Sequence, residues 1–198
     1  MKNNRRDFIK LAVPAVAGIT TALSGIAPAF AGAVSEIPEI PDLIRDRGPQ
    51  KFNMSGYAAP KLETVRIAFI GTGNRGSGAV QRMSKIGGVE IKVICDLRPE
   101  KANAAFKRIE ASGQKPELVT GNPEAWKKVC ERDDIDLVYI ATPWALHAPM
   151  AIYAMDHGKH ACTEIPAATT IEECWQLVES SERNKKHCMI LENCCYDF

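Results

Sequence analysis

A chain of 198 residues, 45% hydrophobic and 25% charged, is long enough for one domain with a full core. That balance excludes a mostly disordered, collagenous or multispan membrane protein, and a net charge of +1 offers no basic field for nucleic acid. The seven cysteines are odd in number, begin only at Cys95 and contain no C-x-x-C pair, so they do not make a disulfide framework.

The first thirty residues read as an address. Arg5 and Arg6 precede a moderately apolar run, and Asp7, Phe8, Ile9 and Lys10 complete a pattern that resembles the twin-arginine export signal, R-R-x-F-[LI]-K. Ala29-Phe30-Ala31 supplies an A-x-A cleavage site. An uncleaved membrane anchor is the alternative, but Pro14, Gly18, Gly25 and Pro28 dilute the apolar run. Removal of residues 1–31 takes away Lys2, Arg5, Arg6 and Lys10 against Asp7 and leaves a slightly acidic body. The expected location is the periplasm or the cell exterior, with the twin-arginine export machinery as a partner.

Residues 32–63 form an arm. Pro38, Pro41, Pro49 and Pro60, with Gly48 and Gly56 between them, break both helical and strand periodicity. The arm either lies on the folded body or tethers it.

From Val65 onward apolar strands alternate with helices, and residues 64–198 are expected to be one domain. VRIAFI (65–70) is the first strand, followed by GTGNRGSG and a helix to Met83. VEIKVIC (89–95) is the second strand, and an Ala- and Lys-rich helix runs from Pro99 to about Ala111. Leu118 and Val119 mark a short third strand. Asn122 is expected to cap a helix with Pro123 at its first position. LVYIA (137–141) is the fourth strand, and the next helix carries Pro149 in its first turn and ends at Gly158. A fifth strand covers His160 to Glu164. Thr170 and Glu173 make a capping box for a helix whose apolar face is expected to be Ile171, Cys174, Trp175 and Val178. CMIL (188–191) is the sixth strand. Six strands with helical crossovers imply an α/β, doubly wound parallel sheet.

The chemistry begins at Gly71-Thr72-Gly73-Asn74-Arg75-Gly76. Placed between a strand and a helix, this G-x-G-x-x-G lets the chain turn at Gly71, lets a pyrophosphate approach at Gly73 and lets the helix pack closely at Gly76. Asp96 ends the second strand, where a carboxylate accepts from the hydroxyls of an adenosine ribose and repels a 2′-phosphate, so NAD is favoured over NADP. Thr142-Pro143-Trp144-Ala145-Leu146-His147 follows the fourth strand, at the carboxyl end where such sheets bind ligands. Trp144 and His147 are therefore groove candidates. His157 and His160 span a helix end and a strand start and should not converge on a metal; no metal is expected. Asp133, Asp134 and Asp136 read as a solvated turn, Lys185, Lys186 and His187 as a solvated helix end, and Cys194-Cys195 as buried thiols.

IATPWALH and HGKHACTEIP are similar to the I-A-T-P-x-x-x-H and G-K-H-V-x-x-E-K-P motifs of the Gfo/Idh/MocA oxidoreductases, and the resemblance covers residues 65–198. Within that family GTGNRGSG, CDLRPEKA, ERDDIDLVYIATPW, TEIPA and LENCCYDF together resemble glycoside hydrolase family 109, characterised as NAD-dependent α-N-acetylgalactosaminidases. The resemblance implies a redox-neutral hydrolysis. Hydride leaves C3 of the sugar, the resulting ketone acidifies the C2 proton, the C1 group departs by elimination, water adds and the hydride returns. It implies that Asn74 and Arg75 contact the cofactor near its phosphates, that Asp96 binds the ribose and that Trp144 to His147 line the groove. It puts Glu164, Ile165 and Asn193 toward the nicotinamide, and Tyr196 toward the sugar. It further implies an α+β substrate domain beyond this chain, which would then be an N-terminal fragment, inactive alone, with an exposed docking face. A homo-oligomer is left open. One departure stands out: many relatives carry a proton-handling lysine in E-K-P, where this chain has Glu164-Ile165-Pro166. An exported sugar oxidoreductase and a non-catalytic NAD-binding module are the alternatives. Export in the folded state favours the hydrolase, because a redox-neutral cycle regenerates its NAD in place.

Overall fold

The structure, a computed structural model, describes residue 50 and residues 52–192, which belong to one compact unit, Gly48–Phe198. The expected leader, residues 32–49, Asn193, Tyr196 and the Cys194-Cys195 pair lie outside the described residues.

Six parallel strands form one sheet: β1 (Val65–Ile70), β2 (Val89–Asp96), β3 (Glu117–Thr120), β4 (Leu137–Ile140), β5 (His160–Thr163) and β6 (Cys188–Ile190). Their spatial order is β3-β2-β1-β4-β5-β6, the doubly wound order expected of a dinucleotide-binding fold. The crossovers are α1 (Asn74–Met83), α2 (Pro99–Lys107), α3 (Ala125–Cys130), α4 (His147–Asp156) and α5 (Ile171–Asn184).

Strand parity sorts the core into two faces. Ile67 and Phe69 of β1 join Ala79 and Val80 of α1 and Ala102 and Ala105 of α2. Ala68 and Ile70 point the other way, toward Val129 of α3, Ala151 and Met155 of α4 and Leu177 of α5. A β-bulge in β2 interrupts this parity: Ile67 pairs with Ile91 but Ala68 pairs with Val93. The extra residue lets Ile91 and Ile94 share the α1–α2 face.

Several local expectations are corrected. The helix after β2 ends at Lys107 and is followed by a separate 3₁₀ turn, Glu110–Ser112. Asn122 does not cap α3, which begins at Ala125; its Oδ1 accepts from the Glu124 N–H at 2.8 Å, an Asx turn ahead of the helix. The capping box at α5 is present, with Thr170 Oγ1 accepting from Glu173 N–H and Glu173 Oε2 accepting from Thr170 N–H, both at 3.1 Å. The apolar face expected of that helix is not its buried face. Ile171, Cys174 and Val178 are exposed, while Leu177, Ser180 and Ser181 are buried. Ser180, Arg183 and Asn184 all donate to Asp156 Oδ1 at 2.6 Å, so α5 meets α4 through small and polar groups.

The acidic turn before β4 is more than solvated. Asp136 takes two hydrogen bonds from the Arg66 guanidinium, at 2.6 and 2.9 Å, and one from the Arg66 backbone N–H at 2.9 Å, which ties the starts of β1 and β4 together. The Arg66 guanidinium holds the Asp136 carboxyl below its ordinary range. The end of α5 is likewise engaged: the Lys185 ammonium lies 5.0 Å from the Phe52 ring centroid, and His187 packs on Tyr57. His187 Nε2 accepts from the Ala59 N–H at 3.3 Å. Residues 52–59 thus run past the amino-terminal ends of β5 and β6, away from the carboxyl ends of the strands.

Candidate cofactor site

At the carboxyl end of β1 the chain must reverse tightly to enter α1. Gly71 adopts φ +85°, and a Cβ there would lie 2.7 Å from the Ala141 carbonyl oxygen. A Cβ on Gly76 would lie 2.0 Å from the Gly71 oxygen. Both glycines are therefore required by the turn and by the packing of α1 on it. Gly73 differs: a Cβ there would meet nothing within 4 Å. It faces open space at the amino end of a helix that no side chain caps, where N–H groups and the dipole favour an anion.

Asp96 closes this loop from β2. Its Oδ2 accepts from Thr72 N–H at 2.7 Å and from Thr72 Oγ1 at 3.2 Å, and its Oδ1 accepts from Arg98 N–H at 2.9 Å. The carboxylate is thus held in one orientation, and its Oδ1 retains a lone pair for a further donor. Gly71, Gly73, Asp96 and Arg98 line a cavity of about 510 Å³ that also reaches Ala141 and Leu146. Cys95 is part of its wall; burial, with Asp96 beside it, pushes that thiol up to about 12, so it serves as neutral lining rather than as a nucleophile.

A second cavity of about 270 Å³ shares Ala141 and Thr142 with the first. Its lining brings together Arg75, Trp144, His147, Glu164 and Ile165, from three separate stretches of the chain. Trp144 is 66% exposed on a 3₁₀ turn, Trp144–Leu146. His147 is buried, with Nε2 at 2.7 Å from the Thr142 oxygen and Nδ1 at 2.8 Å from the Pro166 oxygen. Its ring joins the loop after β4 to the loop after β5, where the Ile165–Pro166 peptide is cis. Asn74 is exposed at the first position of α1.

Glu164 directly follows β5, and its N–H still donates to Ile140 of β4 at 2.9 Å. Its side chain is 10% exposed. Oε1 accepts from the Tyr139 hydroxyl at 2.8 Å, whereas Oε2 has no hydrogen-bond partner; the Arg75 Nε lies at 3.7 Å, an ion-pair distance only. A buried carboxylate oxygen without a donor is costly, so this atom is suited to a donor brought by a ligand. The open cradle at Gly73 and the orphaned oxygen of Glu164 both fit a dinucleotide laid across the two cavities. Tyr139 lies outside both motifs, and Thr72 and Thr142 lie within them without an assigned role; the three hydrogen-bond to Glu164, Asp96 and His147 respectively. The histidines at 157 and 160 do not converge: His157 Nδ1 donates to the Tyr153 oxygen, and His160 Nδ1 accepts from His187 N–H. Among the described residues no group of three or more His, Cys, Asp or Glu could hold a metal, and no helix is long and apolar enough to cross a membrane.

A family model described as "Oxidoreductase family, NAD-binding Rossmann fold" matches residues 65–192. A curated relative from Bacteroides fragilis, named alpha-N-acetylgalactosaminidase, is 52% identical over 150 residues, which cover 75% of this chain and 35% of the relative. A glycosyl hydrolase family 109 protein from Phocaeicola vulgatus is 46% identical over 100% of this chain and 41% of its own length. The chain therefore spans well under half the length of these relatives. Among solved structures, scyllo-inositol dehydrogenase from Lactobacillus casei with bound NAD(H) and scyllo-inositol aligns with a TM-score of 0.59 at 21% identity, covering 68% of this chain and 38% of that one. That likeness shows the fold.

Proposed function

Because the chain belongs to the Gfo/Idh/MocA oxidoreductase family and carries its NAD-binding Rossmann domain, we propose that it is the cofactor-binding part of a glycosidase acting on α-N-acetylgalactosaminides. The observation that carries this reading is the identity of 46–52% with family 109 relatives, one of them named for that activity. The two joined cavities support NAD as the cofactor, with Gly71, Gly73, Asn74, Arg75 and Asp96 at its adenosine and phosphate half. Trp144, Glu164 and Ile165 serve the other half, and His147 contributes by fixing the two loops that wall it.

Bound NAD supplies reversible hydride uptake, which no side chain can provide. The residues here bind, orient and exclude water. Asp96 selects a free ribose hydroxyl, and Glu164 offers a fixed acceptor. Ile165 carries no proton, which disfavours an ordinary dehydrogenase of the family and leaves the acid–base groups to the remainder of the protein. Export through the twin-arginine pathway, proposed from residues 5–10, suits an enzyme that keeps and regenerates its cofactor.

The test uses the complete gene product and 4-nitrophenyl α-N-acetylgalactosaminide. Nitrophenol release that disappears when NAD is stripped and returns with NAD⁺ is the expected result. NADH accumulating with free sugars and no nitrophenol would make it an oxidoreductase instead. Tight NAD binding with neither reaction would leave a binding module.

A further inference from the structure

Tyr139 has no role in the reading above. It lies on β4, pairs with Cys162 of β5, and faces α1 with that cysteine. Glu164 is two residues beyond Cys162, so strand parity turns its side chain toward the same face. The Tyr139 hydroxyl thereby meets Glu164 Oε1 at 2.8 Å. Phe69 stacks on the tyrosine ring, with centroids 4.9 Å apart and planes inclined by 30°, and removes its freedom to swing. Burial and the adjacent carboxylate push the phenol above its usual range, which keeps it a proton donor.

With one oxygen anchored, the other is directed. Glu164 lines the 270 Å³ cavity with Trp144 and His147 and also a second hollow with Arg82 and Leu191. Its carboxylate is the buried member of the local ion pair; Arg75 is 65% exposed, and water screens its charge.

We propose that Tyr139 is a positioning residue that fixes Glu164 so that its carboxylate stands beside the nicotinamide half of the cofactor and makes the site prefer NAD⁺ to NADH. This rests on the proposed NAD site. The oxidised ring carries a positive charge that the reduced ring lacks, so a fixed buried carboxylate on that side of the site would favour the oxidised form. Such a bias keeps the resting protein loaded with the form that begins a redox-neutral cycle.

The experiment measures dissociation constants of NAD⁺, NADH and ADP-ribose by calorimetry on the complete protein and on its Glu164→Gln and Tyr139→Phe variants. ADP-ribose lacks the nicotinamide and reports the rest of the site. The unaltered protein is expected to favour NAD⁺, Glu164→Gln to reduce the NAD⁺/NADH preference about tenfold, and Tyr139→Phe to reduce it in part, with ADP-ribose affinity unchanged in both. An unchanged preference in the variants, or an equal loss of all three ligands in Tyr139→Phe, overturns the inference while the NAD site stands. Failure of the unaltered protein to bind ADP-ribose overturns the site and the inference with it.

Discussion

At the scale of single residues, the three glycines of the loop do different work. Gly76 is needed by the protein itself, since a methyl group there would collide with the Gly71 carbonyl at 2.0 Å. Gly73 faces empty space. Gly76→Ala is expected to cost about 2 kcal/mol of stability, read by denaturant unfolding. Gly73→Ala is expected to change stability by no more than about 0.5 kcal/mol yet weaken NAD⁺ binding at least tenfold, read by calorimetry on the same samples. Unimpaired NAD⁺ binding by Gly73→Ala would mean that the open cradle is not where the phosphates lie. The glycines and Asp96 were legible in the sequence because the motif links backbone geometry to residue type. His147 was legible as a site-lining residue, but its bonds to two carbonyls depend on the loop after β5 bringing the Pro166 oxygen beside a ring 19 residues earlier in the chain. Tyr139 was hidden inside an apolar strand, because its hydroxyl matters only once β5 lies alongside.

At the scale of elements, short apolar runs between turn signals marked all six strands, whereas helix faces were less legible. The 3.6-residue spacing of Ile171, Cys174 and Val178 is real, but α5 packs on α4 through the next stripe round, where Ser180 and Asn184 reach Asp156. Small polar residues gave no apolar signal to mark that contact. The strap over β5 and β6 depends on two imidazoles. His160 Nδ1 accepts from His187 N–H at 2.9 Å, and His187 Nε2 accepts from Ala59 N–H. Protonation of the His160 Nδ1 removes its bond. Burial, together with Lys186 and His187, pulls the His160 pKa below its ordinary 6.5, while Asp136 opposes this. The folded state therefore binds fewer protons than the unfolded one, and the His160 contribution is complete above pH 6.5 and declines as the pH falls below it. Denaturant titrations between pH 7.5 and about 5 should show falling stability, and His160→Gln, which keeps a carbonyl acceptor, should flatten the decline. A His160→Gln curve parallel to that of the unaltered protein would remove His160 from the cause.

At the scale of the whole molecule, the two edges of the sheet are unlike. β3, at one edge, is guarded by charge: Glu117 pairs with the Arg132 guanidinium, which also holds Asp134. β6, at the other edge among the described residues, exposes Met189 and Ile190, and Ile171 and Val178 of α5 and Ile165 of the cofactor cavity are also exposed. An uncharged, apolar terminal strand invites pairing, and charge is the usual protection against it. The matched relatives are more than twice as long as this chain, so their remaining length is available to cover such a surface. The 198-residue chain by itself is therefore expected to self-associate at about 100 µM, with weight-average mass rising with concentration in sedimentation equilibrium. Met189→Lys, which places a charge on the β6 edge at a residue that lines neither cofactor cavity, should return it toward the monomer. A monomeric unaltered chain at that concentration, or association undiminished in Met189→Lys, would show that the β6 edge is not the adhesive surface.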